Sequence, residues 1–167
     1  MKTQAQTNPE LIQLCRIIED MTIGMITSVD ARGALVSRPM APLEMDSSGI
    51  IWFFTDISSG KVGHLNPANL SFTNESRGTY ISISGIGEIN TDRAHIERLW
   101  TAFAKPWFPE GPESTNLALL KFIPNTAEYW DAPHNKMVRM FAMAASVVIG
   151  KPLWGEHGTL TELASTF

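Results

Sequence analysis

Between Trp52 and Leu65 the chain reads WFFTDISSGKVGHL: an aromatic run, two serines, a glycine and a lysine, then residues of helix-like spacing. A phosphate group is held by hydroxyl and backbone N–H donors, by a cation, and well at a helix N-terminus. This segment offers hydroxyls on Thr55, Ser58 and Ser59, close backbone approach at Gly60, and Lys61 in the first turn of a helix predicted over 61–66. A serine helix cap followed by a solvated lysine accounts for the same residues.

A second segment, SRPM (Ser37, Arg38, Pro39, Met40), sits one strand earlier. Pro39 has no N–H to give and restricts Arg38 to an extended conformation. Arg38 alone reads equally well as a surface charge. An arginine on one strand and a serine–lysine pair after the next would together make a two-sided cationic clamp for a dianion.

Other chemistries find less support. The histidines 64, 95, 134 and 157 are scattered, with no H-x-H or H-E-x-x-H spacing and no cysteine partners for a metal. No G-x-S-x-G elbow of a hydrolase occurs. GIGEIN (Gly85–Asn90) begins like a dinucleotide fingerprint but lacks the third glycine and lies in a strand pattern, where glycines allow a bulge or a bend. SSGK resembles the end of a P-loop without its upstream glycine or a hydroxyl residue after the lysine.

The elements that would position these residues follow from periodicity. Asn8 or Thr7 can cap a helix opened by Pro9, with Leu11, Leu14, Cys15, Ile18 and Met21 on one face. Strands are predicted at 23–30, at 34–45 (irregular or edge, because of Pro39 and Pro42), at 50–55, and as a hairpin over 69–75 and 79–90. An amphipathic helix over 92–103 carries Ile96, Leu99, Trp100 and Phe103 on its apolar side. After a loop rich in proline and glycine, 117–131 reads as two strands around Pro124, with Trp130 in the core. The tail from Ala132 gives no clear pattern. About seven short strands, mostly neighbours in sequence, favour an antiparallel barrel over a parallel sheet.

The 167 residues suffice for one domain with a proper core, and 44% apolar with 18% charged residues is an ordinary globular balance. A net charge of −4 and the lack of any Lys/Arg block argue against nucleic-acid binding. No apolar run reaches membrane-spanning length, and MKTQAQTNPE is not of signal-peptide kind. A single cysteine, Cys15, excludes an internal disulfide and fits a reducing cytoplasm, where it reads as a small buried hydrophobe. One domain over 1–167, with its core at about 10–145, is the expectation.

R-P-M on the second strand, then W-F-F-T and S-x-K, resembles the FMN-binding split barrels related to pyridoxamine 5′-phosphate oxidase, in particular their general stress protein branch. The resemblance extends, in order, through Tyr80–Asp92, Leu99–Gly111 and the EYWD of Glu128–Asp131. It implies a mainly β, antiparallel split β-barrel with flanking helices. It implies FMN as cofactor, a homodimer, and a small-molecule electron donor or acceptor. Ser37, Arg38, Pro39 and Met40 would line the isoalloxazine and ribityl side; Phe54 and Thr55 would flank the phosphate, and Ser59 and Lys61 would bind it. Tyr80 would fall near a polar flavin contact, and Trp107, with Phe108, would lie in a loop that approaches the flavin across the dimer or packs in the interface. No side chain is expected as catalytic acid or base.

Two departures stand out. Gly60 replaces the arginine that precedes the phosphate-binding lysine in the oxidases, and the C-terminal GKPLWGEHGTLTELASTF lacks their Arg-Leu-x-Pro segment. The resemblance thus supports a flavin-dependent oxidoreductase of unknown substrate rather than a vitamin B6 oxidase. The alternatives are a non-enzymatic flavin binder and the same fold with a deazaflavin or haem.

Overall fold

A computed structural model describes residues 1–58, 64–131, 156–161 and 163. Asn8 caps the first helix: its side chain accepts the N–H groups of Glu10 (2.8 Å) and Leu11 (3.4 Å), and Pro9 takes the first position of α1, Pro9–Ile18. Leu11, Leu14, Ile17 and Ile18 line its buried face. Cys15 is half-buried with Sγ 3.4 Å from Met45 Sδ; burial above all, then the charge of Glu19, pushes its thiol above the ordinary value.

The strands are β1 (Lys2–Thr3), β2 (Gly24–Val29), β3 (Leu35–Met40), β4 (Pro42–Met45), β5 (Ile51–Asp56), β6 (Ala68–Asn74), β7 (Thr79–Asn90), β8 (Leu117–Asp131) and β9 (Glu156–Leu160). They form one sheet in the order β1-β4-β5-β8-β7-β6-β2-β3, with β9 on the far half of β8. All pairings are antiparallel except the short β1–β4 contact. Near the two ends of this order stand β4 and β3, which are consecutive in the chain with only Ala41 between them. The sheet therefore has to curl until its ends approach, which makes it a split barrel.

Alternation along the strands fills the barrel. Ile26, Ile51, Phe53, Leu70, Phe72, Ile81, Ile83, Leu120 and Phe122 point inward, where α1, Leu160 and Leu163 close the core. On the outer face of β4, β5 and β8 a second cluster gathers Trp52, Leu117 and Leu119 under Ile96 and Leu99 of helix α2 (Arg93–Leu99), with Ala104 and Phe108 of the loop behind it.

Four expectations need correction. Residues 117–131 form one strand, β8: Ser84 pairs with Thr126 and Gly85 with Pro124, so Asn125 bulges out and the proline costs no ladder bond. A side chain on Gly85 would collide with the Ile123 carbonyl, which is why glycine stands there. The second helix stops at Trp100, its C-cap, and Phe103 in the following 3-10 turn (Ala102–Ala104) is 72% exposed instead of buried. His64–Asn66 is not helical; Leu65 is buried and its carbonyl accepts the Gly87 N–H at 2.7 Å, tying this stretch to β7. Residues 61–63 of that expected helix lie outside the described residues. Trp130 is 44% exposed and stacks on His157 of β9 at 5.1 Å, because it alternates with the inward positions of β8.

Candidate functional site

The pairing of β4 with β5 runs from Met45↔Ile51 to Pro42↔Phe53 and stops there. Upstream of Ala41, Met40 already pairs with Gly24, and β3 continues along β2 as far as Leu35↔Val29. Among the described residues, β3 therefore shows one edge without a strand neighbour, and so does β5 over Phe54–Asp56. Beyond Ala41 the two edges follow different neighbours, β2 beside β3 and β8 beside β5, and the opening between them is the candidate cleft. Backbone N–H and C=O groups at such edges are donors and acceptors for whatever lies between them.

The SRPM residues divide by pleat. Arg38 is opposite buried Ile26 and Met40 packs against the barrel core, so both face inward. Ser37 and Pro39 face outward, and the Ser37 hydroxyl shares a hydrogen with Thr27 at 2.7 Å. Arg38 is half-buried and donates to the buried Ser28 hydroxyl at 3.3 Å. Burial pulls its guanidinium below the ordinary arginine value.

On the other lip, Thr55 lies two residues beyond Phe53 and so takes the same inward side. Phe54 points outward, its ring 5.7 Å from Trp100 and 6.4 Å from Phe108, so it meets the cleft through its backbone. The Ser58 hydroxyl is committed within the chain: it donates to Asp56 Oδ1 at 2.6 Å. Ser59 and Lys61 lie outside the described residues.

Tyr80 does not share the inward face of Arg38 and Thr55, and Trp107 is exposed on the loop beside the β5 lip. Thr55 pairs with Ala118 and Tyr80 with Trp130, at opposite ends of β8, roughly 40 Å of extended strand apart. Tyr80 projects outward, 45% exposed. Trp107 is 67% exposed and leans on Phe103 at 5.9 Å, on the loop that packs behind Phe54. Asp56 and Asn116, bonded to each other at 3.1 Å where the end of β5 meets the start of β8, were missed in the sequence. Only the bare D-x-S of Asp56 and Ser58, a common turn signal, hints at their role.

The family model described as pyridoxamine 5′-phosphate oxidase like matches residues 10–153. The chain belongs to that family. The curated protein bli-3 of Neurospora crassa is 28% identical over 165 residues, spanning 91% of this chain and 79% of that protein. Among solved structures, a general stress protein 26 from Jannaschia sp. CCS1 is similar with a TM-score of 0.68 and 28% identity, over 87% of this chain and 94% of that one. The general stress FMN/FAD binding protein of Xanthomonas citri is similar with a TM-score of 0.61 and 26% identity, over 75% and 90% of the two chains. These neighbours place the chain in the general stress protein branch and bear out the split-barrel fold. Among the described residues no helix is long and apolar enough to cross a membrane, and no three His, Cys, Asp or Glu side chains gather around a possible metal.

Proposed function

We propose that this chain binds FMN in the cleft between β3 and β5, as a homodimer, and serves as a flavin-dependent oxidoreductase for a small-molecule substrate. The observation that carries the reading is the switch of strand partners at Ala41, which opens the barrel between Arg38 on one lip and Thr55–Ser58 on the other. The donor set suits a phosphorylated, planar ligand: a half-buried guanidinium, a hydroxyl, and backbone edges on both sides. Ser59 and Lys61 follow directly in sequence and complete the phosphate site. Arg38 and Met40 line the ring and ribityl side. The X. citri neighbour, an FMN/FAD binding protein, supports the same ligand class.

Bound flavin supplies the redox chemistry at its isoalloxazine. The chain's own residues fix its orientation and neutralise its phosphate. Tyr80 and Trp107 are exposed on the outside of the chain, where a second copy could carry such side chains over its partner's flavin. A two-fold dimer does this with one kind of interface. Arg38 and Lys61 are then committed to the cofactor phosphate and do not serve a second one, which speaks against a phosphorylated vitamin B6 substrate.

The absorption spectrum of the purified protein, reconstituted with FMN, tests the ligand: flavin, deazaflavin and haem absorb differently. Anaerobic photoreduction followed by candidate electron acceptors separates an enzyme from a passive binder, and sedimentation of the loaded protein tests the dimer.

A further inference from the structure

Asp56 ends β5 at the lip of the cleft, and its carboxylate turns back onto the chain that follows. Oδ1 accepts the Ser58 N–H at 2.8 Å and the Ser58 hydroxyl at 2.6 Å. Oδ2 accepts from Asn116 Nδ2 at 3.1 Å. The Asn116 amide has only one possible orientation here: a carboxylate only accepts, so Nδ2 faces Asp56, while Oδ1 accepts the Ser114 hydroxyl at 2.8 Å. Its backbone carbonyl takes the Ile57 N–H at 3.0 Å. Buried Ser114 is held in turn by Arg93 of α2, which donates to its carbonyl at 3.0 Å and to that of Pro112 at 3.2 Å. A hydrogen-bonded path therefore runs from α2 to Ser58.

We infer that Asp56 and Asn116 are positioning residues that set how the chain leaves β5 toward Ser59 and Lys61, and so set the affinity for the phosphate of a ligand in the cleft. The inference rests on the flavin reading above. The hydrogen bonds of Asp56 and Asn116 fix residues 57 and 58, which are exposed, so they contribute little to the barrel core. An Asx turn of this kind fixes the direction of the peptide groups after it. Because the Ser58 hydroxyl is spent on Asp56, it is a structural donor, and phosphate binding is left to its successors.

The path can be exchanged without loss. Asn116→Asp alone sets two carboxylates face to face, whereas Asp56→Asn alone is accommodated by turning the Asn116 amide over, its oxygen accepting from position 56 and its nitrogen donating to the Ser114 hydroxyl. Together, Asn at 56 still accepts from Ser58 and donates to Asp at 116, which still accepts from Ser114. Each protein is titrated with FMN and with riboflavin, which lacks the phosphate. The expected result is an FMN-to-riboflavin affinity ratio about tenfold lower in Asn116→Asp, within about threefold of wild type in Asp56→Asn, and restored to within about threefold in the exchanged pair. Ser58→Ala, at an exposed position, should lower the ratio about threefold and serves where a single variant fails to fold. A ratio unchanged in Asn116→Asp, or in Ser58→Ala where Asn116→Asp fails to fold, or not restored in the exchanged pair, overturns the inference while leaving flavin binding intact. A wild-type protein that binds neither flavin overturns the flavin reading and this inference with it.

Discussion

β3 and β4 are two halves of one stretch of chain, separated by a single residue, and each carries a charge into partly buried surroundings. Glu44 on β4 is 5% exposed, and its charge is answered within the chain: Arg98 donates to both oxygens at 3.2 and 2.8 Å, and Gln4 adds a bond of 2.9 Å. The bonds from Arg98 hold its carboxyl below the ordinary range in spite of burial, and Glu44 holds Arg98 above its own. For Arg38 on β3 burial decides instead, and the shift runs the opposite way. Glu44 is held in a two-pronged ion pair at the back of the sheet, whereas Arg38 is half-buried on the inward face of β3, where a bound anion would reach it.

The largest effect should come from breaking the architectural pair. Arg98→Met leaves the Glu44 carboxylate buried with Gln4 alone and should destabilise the protein by about 2–4 kcal/mol, read as a fall in melting temperature. The FMN-to-riboflavin ratio should not move. Arg38→Met should act mainly on the ligand: FMN affinity falls about 10- to 100-fold, while the melting temperature of the apoprotein falls less than in Arg98→Met, because Arg38 is only half-buried and Glu44 almost wholly so. If Arg38→Met melts as low as Arg98→Met, the distinction between β3 and β4 fails.

Acid offers a smaller and finer test. His95 lies against Trp52 (4.3 Å between ring centres) and accepts from Arg98 through Nε2 at 2.7 Å, so it is neutral with its proton on Nδ1. Burial first, then the charge of Arg98, lowers its pKa against the pull of Asp92, Glu44 and Asp46. Folded His95 and folded Glu44 both bind protons less readily than in the unfolded chain, so each contributes stability that is present above its unfolded pKa and lost as pH falls through its folded one. Stability should therefore decline as pH drops below about 6.5 through His95, and again below about 4.3 through Glu44. In Arg98→Met the lower step should shrink. Melting temperatures from pH 8 to 4 decide it, and a profile of Arg98→Met parallel to wild type would contradict the assignment.

Much of the barrel was legible because its signals are local. The Asn8–Pro9 cap, the alternation of 79–90 and the unbroken apolar run of 51–54 each follow from short-range rules, and the two prolines of 34–45 do mark the break between β3 and β4. The errors arose where distant contacts overrode local pattern. Pro124 looked like a turn, but Gly85 across the sheet lets it sit in a bulge of one long strand. Phe103 continued a helical stripe that Trp100 ends. β9 has no alternation to betray it, and its place is fixed by β8 and by Thr161 N–H donating to Glu10 at 2.7 Å. At the site, the residue types were readable but their sides were not: pleat register turned Phe54 and Pro39 outward, and only the tertiary pairing shows Asp56 meeting Asn116.

The central claim is that the phosphate of FMN lies where β5 ends, between the two lips. Titration of wild type and Lys61→Ala with FMN and with riboflavin tests it most directly. The account predicts micromolar or tighter FMN binding, roughly one per chain, weakened about 10- to 100-fold by the substitution, with riboflavin almost indifferent. Equal losses for both ligands would contradict it.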